Sequence, residues 1–192
     1  TLWHTLSLHD ALPISDNQSK IIEKGTKINK NYIFSTFVEG KSNQFAKAAA
    51  MAVAKTPGRT SFNPLVLYGG TGLGKTHLIQ AIGNEVIKNH AIKSVVYLSS
   101  DTFTLDFISA IQRNKSTDFS KYYRDVDMLL IDDIQFFQGK ESTQEQFFHI
   151  FNSLYQHHKQ IVLTTDKNPM ELKGLQERLI SRFKSGLTVD IQ

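Results

Sequence analysis

The segment GGTGLGKTH, at positions 69–77, has residue types and spacing suited to binding phosphate. It fits the pattern G-x-x-x-x-G-K-[ST] at Gly69, Gly74, Lys75 and Thr76. Glycines let a backbone wrap around phosphate with its N–H groups pointing inward, and the amino end of the following helix adds partial positive charge. A plain glycine-rich turn is the alternative interpretation. The strand pattern before the segment and the helical pattern after it favour a phosphate loop.

In such a loop the lysine reaches the β- and γ-phosphates of a nucleotide, and the hydroxyl after it is a ligand of Mg²⁺. We therefore predict ATP or ADP with Mg²⁺ as the cofactors. The loop residues predicted to bind the nucleotide are Gly70, Thr71, Gly72, Leu73, Gly74, Lys75, Thr76 and His77. Thr76 is also a predicted metal ligand.

Two adjacent carboxylates, Asp132 and Asp133, follow the apolar run MLLI. Burying an unpaired carboxylate is costly, so the pair is either solvated or faces a cation. The carboxyl ends of parallel strands share one edge, which places the pair beside the phosphate loop. We predict that Asp132 holds Mg²⁺ through water and that Asp133 accepts a proton from an attacking water. The alternative is that Asp133 only caps the next segment, since many ATPases with such a loop have Glu there.

The elements that must position these residues alternate along the chain. Short runs rich in β-branched residues predict five strands, and apolar residues at helical spacing predict helices between them. The predicted strands lie at 64–68, 94–99, 127–132, 160–165 and 186–191. Strands that are apolar on both faces indicate a parallel sheet covered by helices. The predicted fold is a three-layer α/β/α domain with a five-stranded parallel sheet.

Composition limits the class of protein. The 192 residues suit one domain, and 40% apolar content is ample for a core. No stretch approaches the roughly 18–20 apolar residues that span a bilayer, so we predict no integral membrane segment. The absence of cysteine excludes disulfides and thiolate metal sites and fits a cytoplasmic location. The net charge of +4 permits a polyanionic partner without requiring one.

The amino-terminal region differs from the rest of the chain. Residues 1–15, TLWHTLSLHDALPIS, lack an initiator Met and a clean hydrophobic period, and we interpret them as a foreign leader or artefact. A genuine extension is the alternative. Residues 16–31 have the composition of a linker. We predict that the ATPase domain occupies residues 32–192.

From Tyr32 to Gln192 the chain resembles the DnaA family of bacterial replication initiators, which belong to the AAA+ ATPases. A phosphate loop alone would indicate only the superfamily, whereas an ordered series of segments is more specific. The segments that carry the resemblance are FSTFVEGKSNQFAKAAAMAVA, NPLVLYGGTGLGKTHLIQAIGNEV, YYRDVDMLLIDDIQFFQGKESTQEQFFHIFNSL, QIVLTTDKNP and LQERLISRFKSGLTVDIQ.

The resemblance implies further nucleotide contacts. Phe37, Val38 and Asn43 match the segment that wraps the adenine, although core packing is the alternative for Phe37 and Val38. Thr165 and Asp166 match the polar sensor that faces the γ-phosphate, although an ordinary turn at a strand end would also explain them.

In RLISRF the family's arginine finger matches Arg182, which would serve the ATP of a neighbouring subunit. Arg178, one helical turn earlier, is a further nucleotide contact or, alternatively, part of a solvated or salt-bridged face. The residues predicted to be catalytic are Lys75, Asp133, Asp166 and Arg182.

Residues 101–124 resemble the helical insertion that steers initiator subunits into an open spiral. Ile108 and Lys140 match family positions that contact single-stranded DNA. The alternatives are a core residue for Ile108 and an ordinary surface lysine for Lys140. Ser142 stands where one branch of the family has Arg, a departure that bears on the strength of DNA binding.

The resemblance implies a slow ATPase that acts as a nucleotide switch. ATP bound between subunits would drive a homo-oligomeric filament to assemble on origin DNA and open its strands, and hydrolysis would reset it. The alternative is an AAA+ ATPase of the helicase-loader or transposition-helper type. A module that holds nucleotide without hydrolysis is disfavoured by the acidic and finger residues.

The resemblance also implies partners and further domains. The implied partners are origin DNA, including single-stranded DNA, the replicative helicase through an amino-terminal domain, and acidic phospholipid. In the family, a helical lid and a DNA-reading helix-turn-helix domain follow the segment that ends here at Gln192.

Overall fold

The strands form one parallel sheet. A computed structural model of the protein describes residues 22–25 and 27–192, and in these the strand order is β1-β3-β4-β5-β2-β6, with every neighbouring pair parallel. The strands are β1 (Ile22–Gly25), β2 (Leu65–Tyr68), β3 (Ser94–Ser99), β4 (Met128–Asp132), β5 (Gln160–Thr165) and β6 (Leu187–Asp190). The helices are α1 (Gln44–Lys55), α2 (Lys75–Lys88), α3 (Ser100–Gln112), α4 (Ser116–Arg124), α5 (Glu141–Gln156) and α6 (Glu177–Lys184).

Helices cover both faces of the sheet, which explains why its strands are continuously apolar. Along β4, Met128 and Leu130 pack in the layer that contains α1 and α2, whereas Leu129 and Ile131 pack in the layer that contains α3 to α6. The predicted three-layer α/β/α class is confirmed. In the part of the chain that the structure describes, no helix has the length and apolar character needed to cross a membrane.

The sheet has one strand more than the five that the sequence predicts. The additional strand, β1, lies inside the predicted linker 16–31 and pairs with β3, from Ile22 opposite Ser94 to Gly25 opposite Tyr97. An edge strand is held through backbone hydrogen bonds, so a polar segment can form one without an apolar pattern. Ile28, also in that segment, is only 3% exposed and belongs to the core. Residues 1–15, the predicted leader, lie outside the described residues.

The predicted insertion at 101–124 is helical, as expected. It consists of α3 and α4, which pack through aromatic rings: the Phe103 centroid lies 5.2 Å from that of Phe119 and 5.1 Å from that of Tyr123. This contact holds the insertion against the second apolar layer.

Asp127 joins three chain segments at the amino-terminal edge of the sheet. Its Oδ2 accepts hydrogen bonds from the backbone N–H groups of Lys93 and Ser94, at 3.0 and 3.1 Å. Its Oδ1 accepts one from Lys159 Nζ at 2.5 Å. Burial by itself raises the pKa of Asp127, but the bonds from Lys159 and the two N–H groups outweigh it, and the pKa lies below its ordinary value.

We predict that Asp127→Ala lowers the free energy of unfolding at neutral pH by about 1–3 kcal/mol, because four donors, the Ser94 hydroxyl included, lose their charged acceptor. Since the pKa is lowered in the folded state, this stabilisation is present above the unfolded pKa of about 3.9 and is lost as pH falls through the folded pKa. Urea unfolding at several pH values should show that the difference in free energy of unfolding between the variant and the wild type becomes smaller in acid. Asp125→Ala, at an exposed position, is the control and should change little.

Candidate functional site

The phosphate loop connects the end of β2 to the start of α2, and two of its glycines are required sterically. Gly74 has a φ of 96°, and a Cβ there would lie 2.7 Å from Phe37 Cε2. A Cβ at Gly69 would lie 2.2 Å from the backbone oxygen of Ile191. Close approach of neighbouring chain therefore fixes glycine at both ends of the loop.

Lys75, the first residue of α2, is buried inside this loop. Its Nζ donates hydrogen bonds of 2.7 Å to the carbonyl oxygens of both Gly69 and Gly70. The ammonium group and the amino end of α2 thus place positive charge at the same point, the arrangement that binds phosphate.

Asp132, at the end of β4, is 4% exposed and is held by hydroxyl groups. Its Oδ2 accepts from Thr76 Oγ1 at 2.7 Å and from the Tyr97 hydroxyl at 3.1 Å, and its Oδ1 accepts from the Thr164 hydroxyl. The two predicted metal ligands, Thr76 and Asp132, are therefore in direct contact. They supply the hard oxygen donors that suit Mg²⁺.

Within the described residues, no group of three or more His, Cys, Asp or Glu could hold a metal ion. A pair of oxygen ligands is nevertheless sufficient for Mg²⁺, which keeps several waters and takes other ligands from nucleotide phosphates. The donor set thus fits a nucleotide-bound Mg²⁺ and does not fit an all-protein metal cage.

Two residues that the sequence analysis missed orient Asp132. Thr164 donates to its carboxylate and also accepts the backbone N–H of Asp133 at 2.9 Å. Tyr97 donates to Oδ2 and accepts from Gln80 Nε2 at 3.0 Å. Burial, reinforced by the charge of Asp132, raises the pKa of Tyr97, so its phenol stays a donor. The sequence feature that could have pointed to Thr164 and Tyr97 is a polar residue near the end of each strand that flanks β4.

Asp133 follows β4 in a left-handed backbone conformation, with φ of 59°. Burial raises its pKa, and the neighbouring charge of Asp132 raises it further. Gln135 Nε2 donates to Asp133 Oδ1 at 3.3 Å. A carboxylate whose pKa is raised is a stronger proton acceptor, which suits the role predicted for Asp133.

Three buried polar atoms near the carboxyl ends of β4 and β5 have no hydrogen-bond partner among the described residues. They are Gln135 Oε1, Thr165 Oγ1 and Asp166 Oδ1. Buried polar groups are nearly always hydrogen-bonded, so these atoms mark a place where a polar ligand or water belongs.

A cleft of about 370 Å³ brings most of the predicted site together. It is lined by Tyr32, Thr71, Gly72, Gly74, Lys75, Thr76, His77, Asp133, Gln135 and Asp166. Gly70 contributes its carbonyl to Lys75, and Leu73 is partly exposed at the loop. A larger, mostly apolar cavity of about 820 Å³ lies between α1 and α2 and contains none of the phosphate-loop residues.

The segment predicted to contact adenine divides into a buried and an exposed part. Phe37 is buried and packs edge-on against His77, with ring centroids 5.3 Å apart. Val38 is 85% exposed and does not line the cleft, so core packing does not explain it. Asn43 Nδ2 donates to the Val38 carbonyl at 3.1 Å. Tyr32, which the sequence analysis did not select, stacks on His77 and lines the cleft.

The two arginines predicted to act on nucleotide lie on α6, outside this cleft. The guanidinium carbon of Arg178 lies 4.5 Å from the Phe148 ring centroid, and that of Arg182 lies 6.0 Å from it. Arg178 Nε also donates to Gln176 Oε1 at 2.7 Å. Residues 27–192 contain no salt bridge to either arginine, and Arg178 is exposed, so of the two forms of its alternative the solvated face agrees with the structure and the salt-bridged face does not.

The two predicted DNA contacts also lie outside the cleft. Ile108 on α3 is 44% exposed, beside the exposed Leu105 and Ile111, so it is not a core residue. Lys140 Nζ forms a salt bridge of 3.3 Å with Asp101 Oδ1, at the start of α3. Both residues therefore lie on or beside α3.

Comparison with known proteins agrees with this geometry. The family model described as "Bacterial DnaA ATPAse domain" matches residues 28–190. The chromosomal replication initiator protein DnaA of Chlorobaculum tepidum is 54% identical over 167 residues, which are 87% of this chain and 34% of that protein. The chain thus spans about a third of the length of this curated relative.

Solved structures show the same likeness. Domain III of the Thermotoga maritima replication initiation protein DnaA has a TM-score of 0.84 and 46% identity, over 87% of this chain and 69% of that one. A replication initiator DnaA bound to AMPPCP and single-stranded DNA has a TM-score of 0.83 and 40% identity, over 87% and 51%. The DnaC helicase loader, with a TM-score of 0.74 but 18% identity over 84% of this chain and 97% of its own, shares the fold alone.

We predict that Thr164→Val destabilises the protein by about 1–3 kcal/mol, because the buried Asp132 carboxylate and the Asp133 N–H both lose a partner. Chemical denaturation measures the difference. Thr188→Val on β6 is the matched control, since the Thr188 hydroxyl makes no hydrogen bond with the described residues, and it should be nearly neutral. Equal effects of the two substitutions would contradict the positioning role of Thr164.

Proposed function

This chain belongs to the bacterial DnaA ATPase domain family, and we propose that it is the nucleotide switch of a chromosomal replication initiator. The observation that carries the proposal is the meeting of Lys75, Thr76 and Asp133 at one cleft, with the buried Asp132 hydrogen-bonded to Thr76. This is the set of groups that positions a nucleoside triphosphate for hydrolysis.

Each group in the cleft has a role in ATP hydrolysis. Thr76 and Asp132 would hold Mg²⁺, which neutralises charge on the β- and γ-phosphates. When ATP binds, the Lys75 ammonium group donates its hydrogen bonds to phosphate oxygens in place of the Gly69 and Gly70 carbonyl oxygens. Asp133 accepts the proton of the attacking water, and Asp166 accepts a hydrogen bond at the same end of the cleft. These residues make the chain a slow ATPase. Whether it holds ATP or ADP then determines its assembly state.

Arg182 serves the ATP of a neighbouring subunit in this proposal. The support is its place on α6, away from its own cleft, together with the need of phosphoryl transfer for a cation near the transferring group. Arg178 contributes a second cation to the same neighbour. ATP binding then favours a homo-oligomeric filament, and hydrolysis releases it.

Origin DNA is the proposed substrate of this filament, and single-stranded DNA is held beside α3. The exposed apolar residues Leu105, Ile108 and Ile111 supply contacts for bases or sugars, and Lys140 supplies positive charge. The uncharged Ser142 makes this contact weaker than an arginine there would. By family membership we also propose a cytoplasmic protein whose partners include the replicative helicase and acidic phospholipid.

We predict that Lys75→Ala weakens ATP and ADP binding by at least about tenfold, equivalent to about 1.4 kcal/mol, because it removes the cation inside the phosphate loop. Titration calorimetry with Mg²⁺ measures the affinities. Lys88→Ala, at the exposed end of the same helix, is the control and should bind as the wild type does. Unchanged binding by Lys75→Ala would exclude the phosphate loop as the nucleotide site.

We predict that Arg182→Ala binds ATP with wild-type affinity but loses ATP-dependent assembly, because the missing cation belongs to the neighbour's site. Analytical ultracentrifugation with ATP and with ADP measures assembly. Lys184→Ala, an exposed cation on the same helix, controls for loss of charge alone. Loss of nucleotide affinity with assembly intact would show that Arg182 acts within its own subunit.

A further inference from the structure

Gln135 lines the cleft and has an acceptor atom to which no described residue donates a hydrogen bond. It is in the 3₁₀ helix Ile134–Phe137, which follows Asp133 directly, and it lines the cleft together with Asp133 and Asp166. Its Oε1 is buried and has no hydrogen-bond partner among the described residues. A buried carbonyl oxygen of this kind costs free energy unless a donor reaches it.

Asp133 determines which way the Gln135 amide points. Gln135 Nε2 donates to Asp133 Oδ1 at 3.3 Å. Reversing the amide would set its oxygen against a carboxylate oxygen, and both atoms are acceptors. The donor end of Gln135 is therefore occupied by Asp133, and the acceptor end, the buried Oε1, is the one without a partner among the described residues.

Two acceptors fix the orientation of a water that attacks phosphorus. It has two O–H bonds and must turn a lone pair toward the γ-phosphorus, so two fixed acceptors define its orientation. Asp133 provides one of them. A neutral carbonyl is well suited to be the other, because a further carboxylate would add repulsion against the triphosphate.

We propose that Gln135 is a catalytic residue that accepts a hydrogen bond from the water attacking the γ-phosphate of ATP. The inference rests on the proposed function. In the step, the bond from water oxygen to γ-phosphorus forms while the bond from that phosphorus to the β–γ bridging oxygen breaks. One water proton passes to the Asp133 carboxylate, the other stays hydrogen-bonded to Gln135 Oε1, and the electron pair leaves with ADP.

The test is single-turnover hydrolysis of ATP with Mg²⁺ by the chain carrying Gln135→Met, which keeps the side-chain length and removes the acceptor. We expect hydrolysis to slow by about tenfold or more while ATP affinity stays within about twofold of the wild type. Gln135→Ala should give the same result, which guards against a packing defect peculiar to Met. Gln138→Ala, an exposed position three residues on, is the control and should hydrolyse at the wild-type rate.

The pH profile separates direct catalysis from an effect on Asp133. If Gln135 only adjusted the Asp133 carboxylate through its N–H, the variant would regain the wild-type rate at higher pH. A catalytic acceptor predicts a lower rate across the whole profile. Recovery at high pH, or a wild-type rate in Gln135→Met, overturns the proposal while leaving the ATPase intact. A wild-type chain that binds no ATP would overturn the proposed function itself.

Discussion

The carboxylate of Asp132 is buried, and its hydrogen-bond partners are three hydroxyl groups. Its hydrogen bonds come from Thr76 on α2, Tyr97 on β3 and Thr164 on β5. A charge in such a place is tolerable only while its donors remain, because the local dielectric is low. The helix α2 and the two strands beside β4, β3 and β5, must therefore keep their relative positions. The same carboxylate that suits a metal also ties the middle of the domain together.

Several groups near this carboxylate are in conformations or environments that lower the stability of the fold but suit ATP hydrolysis. Asp133 has a left-handed backbone and a raised pKa, and Gln135 and Asp166 each have a buried oxygen without a partner in the part of the chain that the structure describes. Such strain clusters at functional sites and needs compensation from the rest of the structure. The aromatic rings of Phe103 and Phe147 pack against Phe137, in the same 3₁₀ helix as Gln135, and so support this segment from the core.

What the sequence predicted well depends on short-range pattern. The phosphate loop, the acidic pair after β4 and the five apolar strands are each contained within a few consecutive residues, so their chemistry can be read directly. Thr164 and Tyr97 act only because strand register brings them to Asp132, and register depends on pairing between distant segments. The strand β1 was missed because backbone pairing at an edge needs no apolar residues.

Helical spacing likewise could not decide which apolar residues of α3 are covered. Phe103 and Phe107 are buried, whereas Ile108 and Ile111 are exposed. Phe103 and Phe107 are covered because both pack against Phe119 of α4, a contact between segments that spacing along α3 does not show. A similar limit applies to Val38: its apolar character does not reveal that its side chain is exposed while that of Phe37 beside it is buried.

The pairing of β1 with β3 has a consequence for aggregation. An unpaired edge strand presents a row of N–H and C=O groups to which another chain can add. Four consecutive residues of β1 cover the edge of β3 in this way. A protein shortened to begin at Tyr32, the boundary that composition suggests, would leave the β3 edge bare, and intermolecular strand addition would compete with the monomeric fold.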